Sequence, residues 1–397
     1  MTQQVKRAFK FRFYPTEEQA AELSRTFGCV RYVYNRALYE RSEAWRSEQR
    51  RIGYAESDRT LTEWKRVEET GFLAEVSCVP LQQALRNLDK AFANFFAKRA
   101  RHPKFKSRKR SNASATYVGK GFRFRSGELF LAKMREPLAI VWSRPLPEGA
   151  EPSTVTVSRD SAGRWFVSML CDDAIEPLPK APNPAVGIDV GLTDLVTLST
   201  GDKVANPKHE KRDRAALAKA QRELARKQKG SANRNKARVK VARIHARITD
   251  RRRDHLHKLS TRLVRENQAI VIEDLNVQGM VKNRKLARAI SDASWSDLRS
   301  QLEYKCAWYG RDLVVVDRWF PSSKLCSGCG ALQDKMPLDV RVWTCDCGAT
   351  HDRDVNAARN LITAAGLAVD ACGAGVRPRG IRLPRQSALK QETLTAK

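Results

Sequence analysis

Gly187-Ile188-Asp189-Val190-Gly191 decides how this sequence folds. With Val186 it makes a short apolar strand that carries an acid and is closed by a glycine. Residues 195–199 and 203–205 continue as strands joined by Thr200-Gly201-Asp202, a hairpin turn. A long Lys- and Arg-rich helical stretch follows. It breaks at Lys229-Gly230-Ser231, where glycine can end one helix and serine cap the next, which predicts an antiparallel helical hairpin. Residues 269–272 form a strongly apolar strand, 295–309 a helix, 312–316 another strand and 354–365 a closing helix. Strands and helices in this succession mean an α/β domain.

Upstream, residues 5–14 alternate. Phe9, Phe11 and Phe13 fall on one face, Lys10 and Arg12 on the other, as in a half-buried strand with a basic outer face. Pro15-Thr16 opens a helix in which Thr16 caps and Gln19 completes a capping box. Leu23, Phe27, Val30, Tyr34 and Leu38 recur at spacings of three and four, one buried stripe. Leu81, Leu85, Leu88, Phe92, Phe95 and Phe96 repeat the pattern, with a polar helical region around 60–69 between the two. After the basic run 98–110, strands are expected at 122–125, 139–142, 154–158 and 165–170, the last pair turning at Ser161-Ala162-Gly163. The first 180 residues therefore read as a small sheet interrupted by a helical insertion. Pro-rich 176–184 is the expected linker, and the aperiodic stretch 371–397 an expected disordered tail.

A chain of 397 residues implies two or three domains, and an apolar share of 42% supplies packed cores. The formal net charge of +30 makes a field that attracts polyanions. Nucleic acid is the expected partner. A membrane is not, since there is no apolar run of 18 residues and no helix with a broad apolar face. Residues 1–10 lack an apolar core, so no secretory signal is expected. Of nine cysteines, Cys29, Cys78, Cys171, Cys306 and Cys372 stand alone, while Cys326, Cys329, Cys345 and Cys347 cluster. That is the usage of a reduced cytoplasm with one metal site, not of a disulfide framework.

Asp189, Glu273 and Asp354 are set apart by their positions: after the first strand, after 269–272, and at the start of the closing helix. In a ribonuclease-H-like sheet the first and fourth strands are neighbours and the last helix ends beside them, so the three acids would converge. Two Mg²⁺ ions about 3.5–4 Å apart on such oxygen ligands activate a water and stabilise the leaving oxygen in phosphodiester cleavage. Gly187 and Gly191 are read as allowing close approach of a nucleic-acid backbone. Taken singly, Asp189 also suits a turn, Glu273 an exposed strand end and Asp354 a helix N-cap. Asp274 is expected to point away from Glu273, and Asp352 to serve the turn.

Cys326-Ser327-Gly328-Cys329-Gly330 and Cys345-Asp346-Cys347-Gly348 are two thiol pairs separated by a loop, the donor set of one tetrahedral structural zinc, with His351 a reserve ligand. The second pair has one spacer rather than two, which leaves iron or a strained knuckle as alternatives. Basic candidates for phosphate contact are Lys10, Arg12, Lys104, Lys106, Arg108, Lys109, Arg110, Arg123, Arg125, Arg251, Arg252 and Arg253; Phe105 and His102 are candidates for stacking on bases.

These residues carry a resemblance that spans nearly the whole chain. Phe11-Arg12-Phe13-Tyr14-Pro15-Thr16, Tyr34-Asn35-Arg36-Ala37-Leu38, Gly187-Ile188-Asp189-Val190-Gly191, Ile272-Glu273-Asp274-Leu275-Asn276, Pro321-Ser322-Ser323, the cysteine knuckles and Asp352-Arg353-Asp354-Val355-Asn356-Ala357-Ala358 resemble the TnpB (OrfB) family of bacterial insertion sequences, related to type V CRISPR effectors. The resemblance implies an RNA-guided DNA endonuclease. Such a protein binds a transposon-derived guide (omega or right-end) RNA, recognises a short target-adjacent motif and cuts double-stranded DNA with one RuvC site. It implies Asp189, Glu273 and Asp354 as catalytic ligands of two Mg²⁺, and one structural Zn²⁺. It implies a β-barrel-like wedge (about 1–15 and 115–180) with a helical recognition insertion (about 16–114). It further implies a ribonuclease-H-like nuclease over 181–370 with a basic helical hairpin (about 207–265) and a zinc-ribbon insertion (about 318–350). The protein would be a monomer in its RNA complex, acting on the nucleoid in a bacterial cytoplasm. The competing readings are a strand-transfer transposase and a guide-dependent repressor that does not cut.

Overall fold

The computed structural model describes residues 2–108, 112–337 and 339–367; the expected tail at 371–397 and the basic candidates Lys109 and Arg110 lie outside them. Two compact units divide the chain, one drawn from 1–176 and 213–247, the other from 177–212 and 248 onward.

In the first unit, strand β1 (Gln3–Phe13) buries Phe9, Phe11 and Phe13 and turns Lys10 outward, as its alternation requires. Helix α1 (Glu17–Glu48) starts on the anticipated capping box: Thr16 Oγ1 accepts from the Gln19 backbone and Gln19 Oε1 from the Thr16 N–H. Helices α2 (Tyr54–Trp64) and α3 (Cys78–Phe96) complete a helical core with Val33, Leu38, Leu61, Leu81, Leu85 and Leu88 inside it. The polar helix expected at 60–69 is interrupted: α2 ends at Trp64 and a 3₁₀ turn occupies Glu68–Ala74. The apolar stripe of α3 also ends earlier than its spacing suggests, for Phe96 is 62% exposed.

Strands β2 (Ala113–Val118), β3 (Phe122–Arg125), β4 (Glu128–Leu131), β5 (Ile140–Val141), β6 (Thr154–Arg159) and β7 (Trp165–Ile175) follow. The sheet runs β2-β6-β7-β1-β5, all antiparallel, and β3 and β4 form a separate hairpin. The helices thus interrupt the sheet between its β1 strand and the rest, in the order read from the sequence.

In the second unit, β8 (Asn183–Asp189), β9 (Asp194–Leu198) and β10 (Lys203–Ala205) open the α/β sheet. Helices α4 (His209–Ala225) and α5 (Ala232–Glu266) are the basic hairpin. Gly230 at φ +90° makes the break, and Ser231 Oγ accepts from the Arg234 N–H. Arg234 Nη1 closes the end of α4 by donating to the carbonyls of Leu224 and Lys227. The hairpin does not belong wholly to the α/β unit: its outer part, 213–247, groups with the first unit.

Then come β11 (Asn267–Glu273), short helices α6 (Val277–Met280) and α7 (Ala287–Ala293) that periodicity did not reveal, α8 (Trp295–Tyr309) and β12 (Asp312–Val316). Strands β13 (Val342–Thr344) and β14 (Thr350–Asp352) and helix α9 (Arg353–Ala364) close the unit. The sheet order is β10-β9-β8-β11-β12, with β8, β11 and β12 parallel. The first and fourth strands are therefore neighbours. Val186, Ile188, Ile270 and Ile272 from this sheet meet Leu256, Leu263 and Leu298 in one core. The linker is tied down here, for Arg311 donates to the carbonyls of Leu178 and Pro179.

Candidate nuclease centre

Ile188 on β8 stands opposite Ile272 on β11, so the next residues, Asp189 and Glu273, end adjacent parallel strands side by side. Asp354 joins them from the first turn of α9, which packs on β8. Asp189 senses the charges of the other two. Burial raises the Asp189 carboxyl to about 7, and the charges of Asp354 and Glu273 push it the same way, with the Arg353 guanidinium opposing. Burial likewise raises Glu273, helped by the charge of Asp274. Carboxyls arranged so that their charges resist one another are what a divalent cation relieves.

One of the simpler readings resolves into another residue. The cap of α9 is Asp352, not Asp354: its Oδ1 accepts from the N–H groups of Asp354 and Val355, and its Oδ2 meets Lys203 Nζ at 2.7 Å. Asp354 is thereby released from capping and lies 3.2 Å from Arg341 Nη1. Asp274 does turn to other partners, Arg299 and Arg318, which hold its carboxyl below the usual range. At both glycines a side chain would collide with the chain's own backbone. A Cβ on Gly187 would lie 1.9 Å from the Ala358 carbonyl oxygen, so this glycine admits α9; a Cβ on Gly191 would meet the Asp194 carbonyl at 2.8 Å, within its own hairpin.

The four clustered cysteines bring their sulfurs within 4.8 Å of one another, and no other group of three or more His, Cys, Asp or Glu among the described residues does so. Cys326 and Cys347 lie 3.8 Å apart, Cys329 and Cys345 3.6 Å. A tetrahedron with Zn–S of about 2.3 Å has edges of about 3.8 Å, so the donor set could hold zinc without rearrangement. Each knuckle turns on the glycine singled out in the sequence, Gly330 at φ +77° and Gly348 at φ +85°. His351 Nε2 sits 3.0 Å from Cys326 Sγ. Against the effect of burial, the N–H groups of Cys329 and Gly328 together with His351 lower the Cys326 thiol to about 6.

Two residues that periodicity passed over fasten this knuckle to the helix that bears Asp354. Buried Asn356 and Asn360, one turn apart on α9, both donate to the Leu325 carbonyl; Asn356 Oδ1 accepts from the Ser327 N–H, and Asn360 also donates to Ser322. Two amides on the buried face of an amphipathic helix were the signal in the sequence, since a buried amide must find partners.

The basic candidates divide. Lys10 Nζ lies 4.3 Å from the Phe166 ring centre, and the Arg12 guanidinium lies over Tyr14 and Phe166. Arg123 lies over Phe130, while Arg125, Lys104 and Arg108 are exposed. Lys106 is half-buried over Tyr34, its N–H held by Asn35. Arg252 donates to the Ser291 carbonyl and Arg251 is half-buried, which leaves Arg253 as the exposed member of that trio. His102 is engaged edge-on with Phe92 and Phe95, whereas Phe105 is 61% exposed. No described helix is long and apolar enough to cross a membrane.

Known proteins resemble this chain. Residues 160–284 match a family described as a probable transposase (OrfB_IS605), and 295–361 the TNB domain of Cas12f1-like proteins. Residues 1–50 match a domain described as helix-turn-helix (HTH_OrfB_IS605), although here they fold as β1 and a single helix. A Streptomyces pristinaespiralis protein named "Putative RNA-guided DNA endonuclease" is 70% identical over 99% of this chain and 97% of its own. InsQ of Escherichia coli K12, named in the same words, is 34% identical over 92% of this chain and 94% of its own. A Cas12f1 chain, solved by cryo-EM with sgRNA and target DNA, shares the fold at a TM-score of 0.55 and 14% identity, over 90% of this chain and 98% of that one. On this identity along almost its full length, the chain belongs to the TnpB (OrfB) family of insertion-sequence proteins.

Proposed function

We propose that this protein is an RNA-guided DNA endonuclease with a RuvC-type active site made of Asp189, Glu273 and Asp354. The observation that carries the reading is the convergence of three acids from β8, β11 and α9, two of them on neighbouring strand ends. Mg²⁺ takes oxygen ligands and keeps some waters, so a few carboxylates together with a phosphate would hold such ions. Asp189, Glu273 and Asp354 would hold the ions, which would supply Lewis acidity for phosphodiester hydrolysis.

Zinc on Cys326, Cys329, Cys345 and Cys347 has a structural role in this reading. Asn356 and Asn360 tie that knuckle to the helix bearing Asp354, so the metal would hold the third acid in place. The sheet and helices of the first 180 residues would act as wedge and recognition elements on guide RNA and target DNA. Sequence would be read by guide pairing, and the +30 charge would supply backbone affinity. The protein would act as a monomer on the nucleoid in the bacterial cytoplasm.

The test is a plasmid bearing the guide-matched target, incubated with protein, guide RNA and Mg²⁺. Linear product expected from wild type and absent from Asp189→Ala supports the reading. Strand-transfer products without guide would favour the transposase, and tight binding without cutting the repressor. Metal analysis of chelator-free protein should return one zinc per chain; its absence would remove the structural-zinc role.

A further inference from the structure

A cleft of about 410 Å³ opens beside Asp189 and Glu273, and Arg299 and Arg318 line it. Asp274, the residue after Glu273, takes one guanidinium on each oxygen: Arg299 on Oδ1, Arg318 on Oδ2. Arg299 is further neutralised by Glu303 at 3.0 Å. Among the described residues the ion pair of Arg318 is with Asp274, and its side chain is 41% exposed, so donors remain for a ligand. A guanidinium aimed by a carboxylate is prepared to receive a phosphate oxygen.

Trp319 follows directly and is 84% exposed, the highest value among the exposed large apolar side chains of the described residues. It sits on a braced turn. Its N–H donates to Asp317 Oδ1, the Phe320 N–H to the Asp317 carbonyl and the Ser322 N–H to the Phe320 carbonyl. A large ring held out in water by fixed backbone, next to an arginine at the mouth of an acid-lined cleft, combines the two elements that bind a nucleotide: a stacking platform and a phosphate anchor.

We propose that Arg318 and Trp319 form a subsite for one unpaired nucleotide of the DNA strand being cut. Arg318, positioned by Asp274, binds a phosphate neighbouring the scissile one, and Trp319 stacks on the attached base. Within a duplex both faces of a base are already stacked on its neighbours, so the subsite favours an unwound strand whatever its sequence. The inference rests on the nuclease reading for the identity of the strand.

The test uses full-length, guide-loaded protein and targets carrying a single abasic residue at successive positions around the cut. In wild type one position should slow cutting about tenfold, and Trp319→Ala should slow an intact target by about as much. At that position the two losses should not add, and Trp319→Phe should keep most of the rate. Additive losses, or wild-type rates from Trp319→Ala, overturn the proposal. Binding of a single-stranded oligodeoxynucleotide with Ca²⁺ in place of Mg²⁺ judges the subsite separately from catalysis. There, Trp319→Ala and Arg318→Gln should each weaken binding while zinc content and guide affinity stay unchanged. If wild type binds the oligonucleotide but cuts no guided target, the nuclease reading fails and the subsite stands. Equal oligonucleotide affinity for wild type and Trp319→Ala overturns the subsite.

Discussion

Gly187 on β8 and Ala358 on α9 touch backbone to backbone: a Cβ on the first would lie 1.9 Å from the carbonyl oxygen of the second, and 3.1 Å from Ile362 Cγ1. Nothing flexible is available to yield. Gly187→Ala must therefore push α9, and Asp354 with it, away from Asp189. We expect a stability loss of about 1–3 kcal/mol, the range for overpacking, together with a sharp fall in cutting. Chemical denaturation and a cleavage time course measure the two; an unchanged midpoint and rate would falsify the contact.

Asp352 and Asp354 are two residues apart and serve different ends. Asp352→Ala removes the cap of α9 and should cost about 1 kcal/mol. Asp354→Asn breaks a partly exposed pair with Arg341, which contributes little to stability, but removes a proposed metal ligand. The expected result is a lower denaturation midpoint with residual cutting for the first, and a near-normal midpoint with no cutting for the second. The reverse pattern would exchange their roles.

Asp189 lies apart from the basic candidates in function. Asp189→Ala should abolish cutting and leave guide RNA affinity within about twofold, because backbone affinity comes from Lys and Arg contacts. A filter-binding titration beside the plasmid assay checks both halves. Residual cutting at more than a trace would remove Asp189 from the ligand set.

Lys305 on α8 places its ammonium among the His257 carbonyl, Ser260 Oγ and Thr261 Oγ1 at 2.7–2.9 Å. Burial lowers its pKa from 10.5 to about 8. The folded value lies below the unfolded one, so between the two the unfolded chain holds more protons and stability rises with pH. The cost of the buried charge is fully present below about 8 and fades toward 10.5. Lys305→Met should therefore gain most, relative to wild type, at about pH 7, and the difference should shrink by about pH 9.5. Denaturation midpoints at the two pH values decide it; a constant difference would show that the charge is not the cause.

Sequence alone determined the elements whose causes are local. The alternation of Phe9, Phe11 and Phe13, the Thr16–Gln19 capping box, the Gly230 break and the cysteine knuckles each fix their backbone through neighbours within a turn or two. The apolar strands around Asp189 and Glu273 were legible for the same reason. What lay beyond it was set by partners far along the chain. That Gly187 serves α9, that Asp352 caps while Asp354 is released, and that Asn356 and Asn360 hold the Leu325 carbonyl all depend on which surfaces meet. So does the exposure of Phe96 at the end of an apolar stripe. Periodicity tells a side chain which face it occupies; only packing in three dimensions decides what, if anything, covers that face.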